Sequence, residues 1–517
     1  MRNNGIGSWP RRCARRNPGR AAIVHGDRTL TYREFAARVT RAANGLRKLG
    51  VGRGDRVAYV GANHPAFLEA FFAAGTLGAV FVPLNMRLAG REIAALAGDC
   101  GAAVLVHDTG RAAHAGEASA ASGVRTLQVG TEPGEDEWNA FVDAGEDTAI
   151  DEDVSLDDPC LIMYTSGTTG MPKGAVLTHG NLTWNAMDVV VDVDLRSDEV
   201  SLVVAPLFHA AALSMNCLPI MLKGGTVVLV DAFDPERTLD IVQRYRITHL
   251  HGVPTIFEAL TRPQRWPETD LSSVRRASSG GSAAPLTLIR TYLDRGIAFS
   301  QGYGMTETGP GALYLPPTRA ADKVGAVGRP HFFVDVRVVD AEGRDVGPGE
   351  VGEVLVQGPN VMSGYWNRPD ATEASFAGGK WFRSGDLATV DDDGDVSIVD
   401  RIKDMYISGG ENVYPAEVEQ ILHGHPAVRD CAVIGVPDPT WGEVGRALIV
   451  PATAEPPSAD DIIGYATERL AKFKVPKSVV FVSELPRNPS GKLLKNRLRD
   501  RYPLSATPTS TLGKDNS

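Results

Sequence analysis

Short apolar runs alternate with amphipathic stretches of helical length along much of the chain, and this alternation limits the folds it can adopt. Val57–Val60 and Val80–Val82 are typical of buried strands, and Pro65–Leu77 between them has the length and spacing of a helix. The pattern returns at Val227–Val230, which is followed by a helix predicted at about 235–245. Strand–helix–strand alternation favours an α/β fold of layered, largely parallel sheets with helices packed on them.

The chain has 517 residues, more than one hydrophobic core usually organises, so we expect at least two domains. Residues 131–159 are acidic and aperiodic, which indicates a solvated connection before a strand predicted at Cys160–Tyr164. Between 334 and 400, turn residues separate short alternating runs, which is typical of an antiparallel β subdomain. We therefore predict a large N-terminal domain at 1–400 and a small α+β C-terminal domain at 401–502.

The C-terminal segment has secondary structure of its own. Strands are predicted at Cys431–Val436 and Arg446–Val450, and Ser458 is predicted to cap a helix that reaches about Lys472. The tail 503–517 is rich in Ser, Thr and Pro, a composition typical of disordered chain.

Composition narrows the functional classes. The net charge of -10 and the pI near 5.6 give no reason to expect a nucleic-acid partner. The N-terminus lacks the apolar stretch of a secretory signal, and runs such as Ala70–Leu84 are too short and too broken by glycine for an integral membrane segment. The five cysteines form no Cys-x-x-Cys pair. We expect a cytoplasmic protein with reduced thiols and no zinc or redox motif.

The segment Tyr164–Gly174 is dense in glycines and hydroxyls and directly follows a predicted strand. Glycines allow backbone amides to converge on phosphate oxygens, and Lys173 adds a positive charge. A Walker P-loop is disfavoured, because that pattern needs Gly-Lys followed by Ser or Thr, whereas Lys173 follows Pro172. The residues expected to contact phosphates are Thr165, Ser166, Gly167, Thr168, Thr169, Gly170 and Lys173.

This loop resembles the phosphate loop of the adenylate-forming superfamily, which includes acyl- and aryl-CoA ligases, luciferases and peptide-synthetase adenylation domains. The segment Gln301–Glu307 resembles the second nucleotide motif of that superfamily. The resemblance implies that Tyr303 packs on the adenine, that Thr306 contacts the α-phosphate, and that Glu307 helps to hold Mg²⁺. A flat aromatic ring suits a purine, and a hard cation requires oxygen ligands.

Two further motifs extend the resemblance around the nucleotide. In Ser279–Pro285, the backbone near Gly281 and Ser282 is implied to border the adenine and the acyl group, and many relatives have Ala in place of Ser282. Asp386 matches the aspartate that accepts hydrogen bonds from the ribose hydroxyls, and Arg401 matches a second ribose contact.

The remaining matches concern the rotation of the small domain between adenylation and the transfer of the acyl group to coenzyme A. Lys403 corresponds to the hinge about which the small domain rotates, which sets the hinge at 400–403. Gly409 and Gly410 match the glycines that let the pantetheine arm of coenzyme A pass close to the backbone. Lys492 matches the catalytic lysine of the adenylation step, where a cation stabilises the charge that develops around the α-phosphate.

The acyl pocket is less well defined by the sequence. The segment Ala205–Leu213 resembles the one that carries the gate of the pocket, which we assign to His209. The alternative is a buried histidine satisfied by a backbone carbonyl. Phe208 is not followed by the Asp that pairs with an α-ammonium, and the segment has no Arg for a second carboxylate. Amino-acid and malonate-type substrates are therefore disfavoured, and fatty, benzoate-type and hydroxycinnamate-type acids remain open.

The favoured function is an ATP- and Mg²⁺-dependent carboxylate–CoA ligase that forms an acyl-adenylate, releases pyrophosphate and passes the acyl group to coenzyme A. One alternative is a biosynthetic adenylating enzyme whose acceptor is a carrier-protein thiol or another nucleophile, such as an amine or nitrite. Another is a non-catalytic binding protein, which is disfavoured because Glu307, Lys492 and the phosphate loop are all present. The expected partners are a small carboxylic acid and coenzyme A, and a homodimer is left open.

Overall fold

The computed structural model describes most of the chain as two compact units. The described residues are 2–130, 136–165, 172–408, 411–453, 456–487 and 493–503. The first unit consists of residues 1–336, 355–383 and 394–396, and the second of residues 337–354, 384–393 and 397–517. The division at residue 400 stays a prediction.

Strands supply the framework of both units. They are β1 (Ala21–His25), β2 (Arg28–Thr31), β3 (Arg56–Val60), β4 (Val80–Leu84), β5 (Ala102–Asp108), β6 (Arg125–Val129), β7 (Pro159–Thr165), β8 (Lys173–Thr178), β9 (Val200–Val203), β10 (Thr226–Leu229), β11 (His249–Gly252), β12 (Arg276–Gly280), β13 (Ala298–Gly304), β14 (Gly311–Leu315), β15 (Ala326–Pro330), β16 (Asp335–Val339), β17 (Gly352–Gln357), β18 (Gly364–Tyr365), β19 (Phe376–Ala377), β20 (Trp381–Val390), β21 (Val396–Arg401), β22 (Tyr406–Ser408), β23 (Glu411–Val413), β24 (Val428–Asp438), β25 (Gly442–Pro451) and β26 (Ser478–Phe481).

The helices cover the sheets. They are α1 (Trp9–Arg16), α2 (Tyr32–Lys48), α3 (Pro65–Leu77), α4 (Gly90–Cys100), α5 (Ala112–Ser122), α6 (Glu137–Asp143), α7 (His179–Asp192), α8 (Leu218–Lys223), α9 (Pro235–Arg244), α10 (Pro254–Thr261), α11 (Leu286–Leu293), α12 (Pro317–Ala320), α13 (Pro369–Ala374), α14 (Pro415–His423), α15 (Ala459–Thr467) and α16 (Lys495–Arg501).

Two largely parallel sheets organise the first unit, which confirms the α/β prediction. One has the order β15-β14-β13-β12-β11-β9-β10-β1-β2, with a parallel run from β13 to β1. The other has the order β18-β8-β7-β4-β3-β5-β6, with a parallel run from β7 to β6. Leu250, Ala277 and Phe299 of the first sheet are buried in one core with side chains of α9, α10 and α11. Such sheets place the ends of several strands at one edge, where loops can converge on a ligand.

The second unit contains an α+β body, as predicted. Its strands have the order β23-β22-β25-β24, and β26 pairs in parallel with β25. Alternate residues of β24 are buried on opposite faces: Cys431 and Val433 belong to one apolar cluster, and Ala432 and Ile434 to another. Helices therefore cover the strands on both sides.

Two local predictions were wrong. The segment 131–159, predicted to be a solvated connection, contains α6, whose Trp138 is 1% exposed and donates from Nε1 to Glu69 Oε2 at 2.8 Å. A helix of this length buries too few apolar residues to show a period. The helix capped by Ser458 ends at Thr467 instead of near 472, because the Ala466 carbonyl oxygen accepts from two successive backbone N–H groups and the turn tightens.

No helix in the described part of the chain is long and apolar enough to cross a bilayer.

Candidate functional site

The two ends of the phosphate loop lie beside Glu307. Thr165 ends β7, Lys173 begins β8, and the two residues are paired in the antiparallel register of these strands. Glu307 lies in a 3-10 turn after β13 and is 9% exposed. Thr165 Oγ1 donates a hydrogen bond to Glu307 Oε1 at 3.2 Å. The structure therefore joins the first and second motifs through a direct side-chain contact.

Tyr365 completes this cluster, and the sequence analysis did not identify it. Its hydroxyl donates to Glu307 Oε1 at 3.0 Å, and Lys173 Nζ lies 5.0 Å from the centre of its ring. Burial, with a further contribution from Glu307, raises the pKa of Tyr365, so the phenol stays protonated and acts as a donor. The backbone N–H of Met362 donates to the Glu307 carbonyl oxygen at 2.9 Å. Glu307 is thus fixed by both its side chain and its backbone.

Adenine and acyl contacts were predicted on β12, β13 and the loops after them. These strands are parallel neighbours, with Gly280 opposite Gly302, so the loops after them leave the same edge of the sheet. Gly281 has a φ of +84°, a conformation that favours glycine, and Ser282 beside it is exposed. Tyr303 is half-buried near the end of β13, and Thr306 begins the 3-10 turn that carries Glu307. The residues predicted to contact adenine and the acyl group therefore follow two neighbouring strands at one edge of the sheet, which is where ligands bind in folds of this type.

His209 precedes a π-helix at Ala211–Cys217. Its Nε2 is buried and has no hydrogen-bond partner among the described residues, and its ring centre lies 4.5 Å from that of Phe208. A carbonyl partner at Nε2, the alternative considered above, is therefore not found in this part of the structure. Burial first, and then Arg87, lowers the pKa of His209 to about 4. The imidazole is neutral at physiological pH and keeps polar capacity for a ligand.

In the second unit, the two residues predicted to contact ribose lie together. Arg401 Nε is 3.2 Å from Asp386 Oδ1, and Asp386 is only 5% exposed. Burial, followed by repulsion from Arg401, lowers the pKa of Lys403. The next residue, Asp404, is held by Arg499 of α16 through a 2.9 Å contact between Nη2 and Oδ1. The segment predicted as a hinge is therefore anchored to the C-terminal helix of its own unit.

Several predicted site residues lie outside the described part of the chain. They are Ser166, Gly167, Thr168, Thr169, Gly170, Gly409, Gly410 and Lys492.

Comparison with known families decides the class of this site. The family model described as AMP-binding enzyme matches residues 10–366, and the model of the AMP-binding enzyme C-terminal domain matches residues 417–492. The chain belongs to the AMP-binding enzyme family. The predicted membership of the adenylate-forming superfamily, in its acyl- and aryl-CoA ligase branch, is therefore confirmed.

Individual members of the family resemble the chain over almost its whole length. Feruloyl-CoA synthase of Amycolatopsis sp is 54% identical, with 97% of this chain and 100% of that protein covered. Indoleacetate–CoA ligase of Aromatoleum aromaticum is 40% identical, with 96% and 97% covered. The solved O-succinylbenzoate coenzyme A synthetase of Bacillus subtilis, in complex with ATP and magnesium ion, has a TM-score of 0.86 and 35% identity, with 95% and 99% covered.

These likenesses establish the activity of this AMP-binding enzyme at the level of its class. It is an acid–thiol ligase that uses ATP to join a carboxylic acid to coenzyme A through an acyl-adenylate. The function predicted from the sequence is confirmed at this level.

Proposed function

We propose that this enzyme joins a hydroxycinnamic acid of the ferulate type to coenzyme A, with MgATP as the co-substrate. The observation that carries the proposal is the 54% identity to feruloyl-CoA synthase along 97% of the chain. Of the three acid classes that the sequence left open, this likeness favours hydroxycinnamates. Indoleacetate–CoA ligase, which is 40% identical to this chain, also acts on an aromatic acid.

Around the triphosphate, we assign the phosphate contacts to the loop that starts at Thr165, to Lys173 and to Thr306. Glu307 suits a magnesium ligand: among the described residues both hydroxyl donors approach Oε1, which leaves Oε2 of a nearly buried carboxylate for a hard cation. The ion would neutralise charge on the phosphates when bound. Tyr365 orients this carboxylate and is a positioning residue.

For the nucleoside, we assign adenine stacking to Tyr303, the border of its pocket to Gly281 and Ser282, and ribose binding to Asp386 and Arg401. The 3.2 Å contact between Asp386 and Arg401 supports the pairing of these two residues in one role. A carboxylate accepts hydrogen bonds from hydroxyl groups well.

Two half-reactions follow from these roles. In the first, a carboxylate oxygen of the acid attacks the α-phosphorus and pyrophosphate leaves, while Lys492 and Thr306 stabilise the developing charge. In the second, the thiol sulfur of coenzyme A attacks the acyl carbonyl carbon and AMP leaves. Gly409 and Gly410 line the approach of the thiol, and Lys403 is the hinge between the two states. His209 borders the acyl group as a neutral imidazole.

A panel of acids tests the proposed substrate. Ferulate and 4-hydroxycinnamate should give CoA thioesters with a kcat/KM at least about 10-fold above benzoate and straight-chain acids, since a missing complementary group costs about one order of magnitude or more. Pyrophosphate release and mass spectrometry of the thioester measure this. A preference for a fatty acid would contradict the proposal, and product formation on a carrier-protein thiol but not on coenzyme A would favour the biosynthetic alternative.

Changing Tyr365 to Phe should lower kcat/KM for ATP–pyrophosphate exchange about 10-fold, because a hydrogen bond to a carboxylate contributes roughly this much. The ring and its contact with Lys173 are retained, so the loss reports on the hydroxyl alone. Tyr245→Phe is the matched control, since the Tyr245 hydroxyl donates to the Gly26 carbonyl oxygen at an exposed site. Equal rates of exchange in both variants would contradict the role of the Tyr365 hydroxyl in orienting Glu307.

A further inference from the structure

An open shelf lies on one face of the first sheet, where two neighbouring parallel strands carry glycine. Gly280 of β12 is paired with Gly302 of β13. A Cβ added to Gly280 would have one heavy atom within 4 Å, the Gly302 carbonyl oxygen at 3.3 Å. A Cβ added to Gly302 would likewise meet only the Leu313 carbonyl oxygen, at 3.2 Å. Apart from the chain neighbours of each glycine, no described side chain lies within 4 Å of either added Cβ, which leaves room for a flat group.

A row of polar side chains lies next to this shelf on the same face. His251, Ser278 and Ser300 lie opposite one another on β11, β12 and β13. Each serine is two residues before the glycine of its strand, and two residues span about 6.6 Å. Side chains alternate along a strand, so this row points away from the apolar core that holds Leu250, Ala277 and Phe299. A ligand lying on the glycines would therefore extend towards the polar row.

Hydrogen bonds join the two serines of this row to each other and to His249. Ser300 Oγ donates to Ser278 Oγ at 3.1 Å, and His249 Nε2 lies 3.2 Å from Ser278 Oγ. His249 Nδ1 lies 3.3 Å from Ser201 Oγ, so the polar contacts continue into the sheet. His249 and Ser300 are fully buried, whereas Ser278 and His251 keep accessible surface. The exposed edge of the row is therefore formed by Ser278 and His251.

His251 is the group in this row with unused hydrogen-bonding capacity. Its side chain has no hydrogen-bond partner among the described residues, although it lies within the sheet. Burial lowers its pKa to about 4, so the ring is neutral at physiological pH and offers one N–H donor and one nitrogen acceptor. A partly exposed neutral imidazole is suited to a hydroxyl group, which needs both a donor and an acceptor.

The shelf also adjoins the parts of the site already described. Tyr303 and Gly304 follow Gly302 directly, and Tyr314 lies opposite Gly302 on β14. The π-helix at 211–217, which begins two residues after His209, packs on β9 and β11, and its Asn216 side chain is 2.5 Å from Ser201 Oγ. The predicted acyl gate, the nucleotide strand and the polar row therefore belong to one region of the first unit.

We propose that His251 and Ser278 form a subsite for the ring hydroxyl of the acyl substrate, an inference that rests on the proposed function. The carboxylate lies towards Thr306, the aromatic ring covers Gly280 and Gly302, and the hydroxyl contacts His251 and Ser278. An alkyl chain in the same place would displace water from His251 and Ser278 and form no hydrogen bond with them. The subsite thus selects hydroxylated aromatic acids over fatty acids and over cinnamate.

The test compares 4-hydroxycinnamate with cinnamate, which differ by one oxygen, in steady-state thioester formation. The wild-type enzyme should prefer 4-hydroxycinnamate about 10- to 100-fold in kcat/KM, as expected when an unmet hydrogen bond is buried. His251→Leu and Ser278→Ala should each reduce this ratio at least about 5-fold, mainly by loss of activity on the hydroxylated acid. His251→Gln, which keeps a donor and an acceptor, should restore part of the ratio.

His423 is half-exposed in the second unit and provides the matched control. His423→Gln should keep the wild-type ratio of kcat/KM for the two acids. An unchanged ratio in both His251→Leu and Ser278→Ala would overturn the subsite, even if ferulate remains a good substrate. If the wild-type enzyme forms no hydroxycinnamoyl thioester at all, the result contradicts the proposed function itself and not the subsite alone. Both acids are measured with the same preparation of each variant. Partial misfolding therefore lowers both rates equally and leaves the ratio unchanged.

Discussion

Replacing Lys492 by alanine is expected to lower ATP–pyrophosphate exchange about 100- to 1,000-fold, the usual effect of removing one group that stabilises transition-state charge. Thioester formation from a synthetic acyl-adenylate and coenzyme A should stay near the wild-type rate, because no pyrophosphate leaves in that step. Isotope exchange measures the first reaction, and mass spectrometry of the thioester measures the second.

Lys472→Ala is the matched control, since this lysine is exposed in the same unit and matches no motif of the family. It should leave both half-reactions unchanged. Gly410→Leu should give the reverse pattern of Lys492→Ala, with exchange kept and thioester formation lost, because the added side chain blocks the approach of the thiol. Equal losses of both half-reactions in either variant would contradict the separation of roles.

The nucleotide motifs were predictable because each is a continuous string with a chemical reason for its residues. Thr165, Lys173 and Glu307 were assigned from such strings, and the structure brings them to one point. Tyr365 was missed because its place depends on β18 pairing with β8, a contact between distant parts of the chain. A Gly-Tyr-Trp string carries no local sign of that pairing.

The polar row could not be predicted for a related reason. His251, Ser278 and Ser300 are separated along the chain and meet only through the register of three parallel strands. None of the three strands is a clear apolar run, and which of its faces packs on the core depends on the helices that cover it. The length of its apolar run was sufficient to predict the helix Pro65–Leu77, which the structure has at the predicted bounds.

Changing Glu307 to glutamine should lower exchange about 100-fold and raise the magnesium concentration needed for half-maximal exchange. The amide oxygen can still accept hydrogen bonds from Thr165 and Tyr365, so the local shape is kept while the negative charge that attracts a hard cation is lost. Exchange rates measured across a magnesium titration separate these two effects. Glu268→Gln, at an exposed site in the same unit, controls for the general loss of one negative charge. A normal magnesium dependence in Glu307→Gln would show that the cation is held elsewhere. The contact of Glu307 with Tyr365 would then serve only to join the 3-10 turn that carries Glu307 to β18.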